Sequence, residues 1–163
     1  MTRSLAYLQG VTEVYRGEIL GEALFSRLAA LSDNADRRYL FSVLLQLESE
    51  AKIRLRPLLA RLGLSVVEDE ASRREGEARA ERVVAQPWLD AVRDWTTWID
   101  GIIATYVALA REAPTADREA LEYMVRHEQA LAAFLAAELA GKGESVAPVL
   151  SFLLHPLPRG PRA

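Results

Sequence analysis

The chain has 163 residues, 50% of them hydrophobic and 26% charged, with a formal net charge of −3, a pI near 5.5 and no cysteine. This length supports one domain with a core of useful size, and the mild acidity gives no electrostatic footprint for nucleic acid. Without cysteine there are no disulfides, thiolate nucleophiles or sulfur-ligated metals, which fits a reducing compartment.

The opening stretch MTRSLAYLQGVTEVYRGE has no long apolar run after Arg3, so no signal peptide is expected. No segment reaches the roughly 20 uninterrupted apolar residues of a membrane span. A cytoplasmic protein is therefore expected, with no membrane or nucleic-acid partner. Alternating β-branched runs are missing, whereas helical spacing continues almost throughout.

The spacing predicts a first helix from about Leu5 to Leu31, with Val11, Val14, Tyr15, Phe25, Leu28 and Ala29 on its apolar line. SDNAD then supplies capping chemistry. A second helix follows from about Asp36 to Leu62, striped by Leu40, Leu44, Leu47, Ala51, Leu55, Leu58 and Leu62 and ended by Gly63. Pro57 lies inside it and removes the bond to the Ile53 carbonyl. Residues 64–86 mix both charge signs densely and read as a solvated, partly helical crossover.

Pro87 opens a third helix that carries Trp88, Val92, Trp95, Ile99, Ile102, Tyr106 and Leu109 on one face. APTAD separates it from a fourth, about Ala116 to Ala140, closed by Gly141. Residues 142–163 form a tail with a short apolar helical stretch and a proline-rich end, expected to pack on the bundle or on a partner chain. Two helix hairpins joined by a long crossover describe an all-α four-helix bundle, with residues 1–163 as one domain. A weak internal repeat agrees: a shift of 81 residues places Val11 on Val92, Phe25 on Tyr106, Leu28 on Leu109 and Ala29 on Ala110.

Several acids fall on the wrong faces of these helices. On a helical wheel Glu18 lies between Val11, Val14 and Phe25, with Glu22 one turn on. Glu48 shares a heptad line with Phe41, Leu55 and Leu62, and Glu50 sits at the rim. In the fourth helix His127 and Glu128 flank the stripe of Met124, Leu131 and Leu135, and Glu138 falls on that stripe nearer the solvent-accessible end. Each ionised carboxylate removed from water costs several kcal/mol, against a net domain stability of about 5–15 kcal/mol. Metal ions, shared protons, basic partners or a water-filled cavity must therefore neutralise them.

GEILGEALFSRLA followed by LLQLESEAKIRLRPLL resembles the first helix pair of ferritin-like, rubrerythrin-type carboxylate proteins, and EYMVRHEQALAAFLAAELAG resembles their fourth helix. Glu18 matches the ligand of the family's first helix and Glu48 that of the second. The departures are equally clear. Ala51 stands where the family's first histidine would be, Ile99 where the third-helix glutamate would be, and Met124 three residues before His127, where a glutamate is expected. Asp100, the nearest acid, points off the stripe. A complete di-metal set needs a glutamate from each of two helices and two Glu-x-x-His pairs, so about half is retained.

The resemblance implies a divergent ferritin-like metal-carboxylate protein, with Glu18, Glu22, Glu48, His127 and Glu128 holding iron or manganese as an oxidoreductase reactive toward oxygen or peroxide. The alternative is a metal-free bundle that serves as a binding or assembly module, its acids satisfied by Lys52, Arg54, Arg126 or water. A small amine or flat apolar ligand between the helices is a third possibility. The aromatic third helix and apolar tail point to a homodimer, with Trp98 off the main stripe marking a dimer surface or pocket lip.

Overall fold

Three helices begin with the same capping chemistry. Ser4 opens α1 (Leu5–Leu31), Asn34 opens α2 (Ala35–Leu62) and Asp69 opens α3 (Glu70–Val84). Each cap side chain accepts a first-turn backbone N–H, from Tyr7 at 3.2 Å, Arg37 at 3.0 Å and Ser72 at 2.8 Å respectively. Pro87 and Pro114 precede α4 (Trp88–Glu112) and α5 (Thr115–Leu139), at positions where no helix needs an N–H. Gly63 closes α2 with φ +70°, and Gly141 turns the chain after α5 with φ +63°, the left-handed conformation in which glycine has no steric penalty. A short α6 (Ala147–Phe152) follows.

These six helices, with no strand among them, account for the regular structure of residues 3–159, which the computed structural model describes. No helix among the described residues is long and apolar enough to cross a membrane. The helix limits agree with the periodicity to within one residue for α1, α2 and α5.

α1 packs along α2 and α3, and α4 along α5; α2 also meets α5, and α1 meets α4. Their apolar faces form two clusters. One gathers Phe25, Leu28, Phe41, Leu44, Trp95 and Phe134. The other gathers Val11, Val14, Leu55, Leu58, Leu121 and Met124. Trp95 stacks edge-on against Phe25 and Trp88, with ring centroids 5.9 and 5.6 Å apart, so two of the three tryptophans are packing residues. Trp98 remains on the surface.

The charged crossover is more than a solvated connector. Residues Glu70–Val84 form a continuous helix whose outer face carries Arg73–Glu77, Arg74–Glu70 and Arg79–Glu75 pairs one turn apart. Its inner face, Gly76, Ala80 and Val83, is buried. Small residues let the α3 backbone approach α1 closely, so a helix with little apolar area still docks. The tail packs back on its own chain. Tyr39 donates to the Leu157 carbonyl at 3.0 Å, Gln46 donates to His155 and accepts from Leu157, and Glu50 accepts from the Leu154 N–H. Phe152 lies 5.0 Å from the Tyr123 ring.

The α1–α3 contact yields a sign test. A Cβ on Gly76 would sit 2.3 Å from the Leu20 carbonyl oxygen and 2.9 Å from the Ala23 Cβ, whereas one on Gly101 in α4 meets nothing within 4 Å. Gly101→Ala should stabilise by up to about 1 kcal/mol through helix propensity. Gly76→Ala should instead destabilise by about 1–3 kcal/mol through overpacking. Urea denaturation of both variants reads the opposite signs.

Candidate metal centre

Along α1, α2 and α5 the seam between the two apolar clusters is occupied by polar side chains: Glu18 from α1, Glu48 from α2, and His127 and Glu128 from α5. Their relative exposures are 1%, 4%, 0% and 6%, so all four are withdrawn from solvent. The inward face of each helix puts them there, and a glycine makes the approach possible. A Cβ on Gly21 would lie 2.3 Å from Glu48 Oε2, so the α1 backbone is open where the Glu48 carboxylate enters. Gly17, one turn earlier, similarly faces the Tyr106 hydroxyl of α4.

His127 Nε2 stands 3.4 Å from Glu18 Oε2, 3.7 Å from Glu48 Oε2 and 3.9 Å from Glu128 Oε1. The last two are too long for hydrogen bonds. Glu18 Oε2 and both His127 nitrogens are buried without a hydrogen-bond partner, a cost that folded proteins rarely leave uncompensated. One ligand atom each from Glu18, His127 and Glu128 lies within 4.8 Å of the others. Nitrogen and oxygen ligands sit about 2 Å from a transition-metal ion, so atoms that share one ion stand about 3–4 Å apart.

The electrostatics follow from burial. Desolvation, then the fields of Glu48 and Glu128, pushes the Glu18 carboxyl well above its ordinary range. Desolvation and Glu128 do the same for Glu48, which lies within hydrogen-bonding reach of Glu18. Burial raises Glu128 to about 8 and lowers His127 to about 3. The Tyr106 phenol is raised by burial and by the same three acids. At neutral pH, without a cation, the cluster therefore retains carboxyl protons and a neutral imidazole. A cation that displaced those protons would find oxygen donors and a free nitrogen lone pair.

Four of the five residues expected at a metal site come together. Glu22 is engaged elsewhere: it accepts from Ser49 Oγ at 2.5 Å and pairs with Lys52, which also reaches Glu68. Lys52 thus satisfies an acid as expected, but Arg54 stacks over the Tyr123 ring at 4.4 Å. Among the described residues no lysine or arginine pairs with Glu18, Glu48 or Glu128. Ala51, Ile99 and Met124 are buried in the apolar clusters, so the positions lacking ligands do face inward.

Asp117 was not singled out by the sequence, where APTAD read as a separator. It is fully buried at the start of α5 and receives Arg3 at 2.9 Å, Tyr7 at 3.0 Å and Arg61 at 2.8 Å. Burial raises its pKa, but those hydrogen bonds outweigh burial and hold it below the usual carboxylate value. By sequence, Tyr106 falls on the apolar face of the third helix and Tyr123 is given no role. Tyr123 carries a buried hydroxyl without a partner one turn before His127, and the i, i+4 spacing was the available signal. No family model, curated protein or solved structure matches this chain.

A pH dependence follows for metal-free protein. Glu128 titrates near 8 when folded, against an ordinary 4.5, so its favourable contribution is complete below 4.5 and is lost as pH rises to about 8. Glu18 and Glu48 act in the same direction. His127, lowered to about 3 from 6.5, opposes them only below pH 6.5. Stability should therefore fall between pH 6.5 and 8. Glu128→Gln should flatten that slope by up to about 1.4 kcal/mol per pH unit, read as urea midpoints against pH in the presence of chelator.

Proposed function

We propose that this protein is a divergent ferritin-like four-helix bundle, built from α1, α2, α4 and α5, that binds iron or manganese through Glu18, Glu48, His127 and Glu128. The observation that carries this reading is an imidazole with both nitrogens unpartnered, held among three buried carboxyls that have no basic counter-charge. Hard oxygen donors with one imidazole suit iron and manganese. Bound there, either metal would supply one-electron exchange with dioxygen or peroxide, which makes the protein an oxidoreductase. In the metal-free state Glu18 and Glu48, each pushed above the ordinary carboxyl range by burial, would carry the protons that a metal displaces. The apolar clusters on either side exclude water, and Glu22 stays outside, tied to Lys52.

A second reading, a metal-free module, is favoured by Ala51, Ile99 and Met124 at ligand positions. Protonation of the carboxyls can neutralise the cluster without any ion. A groove of about 650 Å³ between α1 and α4, bounded by Val14, Trp98, Ile102 and Leu109, gives such a module a place for a small apolar ligand. The exposed Trp98 beside it would serve the expected homodimer.

Metal analysis of protein purified from iron- and manganese-supplemented cells separates the two. The metal reading expects bound iron or manganese that is largely lost in Glu18→Ala and His127→Ala, and oxygen consumption that requires it. Substoichiometric metal unchanged by either substitution favours the module.

A further inference from the structure

We infer that the centre holds a single divalent cation rather than a pair. This rests on the metal-binding reading above and specifies its stoichiometry. A paired site of this architecture draws on four glutamates and two histidines. Here the buried cluster offers three carboxyls and one imidazole.

The positions that would complete a second coordination sphere carry no usable donor. Ala51 follows Glu48 by one turn of α2, and Met124 precedes His127 by one turn of α5; both are completely buried within one apolar cluster. Ile99, on α4, is packed into the other. Alanine and isoleucine have no lone pair, and a thioether is a soft ligand poorly matched to manganese or iron(II). Neighbouring acids do not substitute for them. Asp100 is exposed on α4, and Glu22 is bound to Lys52 and Ser49.

The donors that do converge do so around one point. His127 Nε2 is the common neighbour of all three carboxylates, at 3.4, 3.7 and 3.9 Å. One ligand atom each from Glu18, His127 and Glu128 lies within 4.8 Å of the others, a set able to share one ion, and Glu48 approaches that set at His127.

Chelator-treated full-length protein titrated with manganese(II) tests this, by bound metal after gel filtration and by electron paramagnetic resonance. The expected result is saturation at one manganese per chain with the six-line spectrum of an isolated ion. Glu18→Gln, checked for retained helicity by circular dichroism, should weaken that binding at least ten-fold and leave no tight ion. Two manganese per chain with a spin-coupled spectrum overturns the single-ion inference while keeping the metal reading; one tight ion retained in Glu18→Gln overturns both, because it puts the ion outside this cluster. No tight manganese in the unaltered protein overturns both. Glu48→Gln serves in the same way should Glu18→Gln not fold.

Discussion

Three carboxyl groups and an imidazole share one buried layer of this fold, and the rest of the structure is arranged around that layer. The two apolar clusters meet along it. It takes residues from α1, α2 and α5, with Tyr106 of α4 beside it. The layer cannot be stabilised by packing, because its members repel one another when ionised. It can persist only through protons or an added positive charge.

The same molecule shows the other way to bury an acid. Asp117 is covered from solvent like Glu18, but by Arg3, Arg61 and Tyr7, whose hydrogen bonds keep it ionised nearer the surface. That network ties the start of α1, the end of α2 and the start of α5 together. Lys52 plays a comparable part for Glu22 and Glu68. With bases available to neighbouring acids, their absence around Glu18, Glu48 and Glu128 distinguishes the layer from ordinary structural ion pairs.

Much of this was legible in the sequence. Period, caps and the two left-handed glycines located α1, α2 and α5 because those signals are local. Inward acids could be found because a charge on an apolar stripe is conspicuous on a helical wheel. Two things were not legible. The burial of α3 depends on backbone approach at Gly76, which leaves no trace in hydrophobicity. The fate of Glu22 depends on Lys52 and Ser49 of another helix, and a wheel drawn for one helix says nothing about what stands opposite. Asp117 escaped for the same reason, since its partners come from three separate segments.

Gly21 ties two positions on different helices to each other. A glycine inside a long helix costs about 1 kcal/mol of propensity relative to alanine, and here the vacated space is filled by the Glu48 carboxylate. The size allowed at position 21 is therefore set by the length of the side chain at position 48. A methyl group on α1 becomes tolerable only when the acid on α2 is shortened or turned away, so these two sites should vary together or not at all.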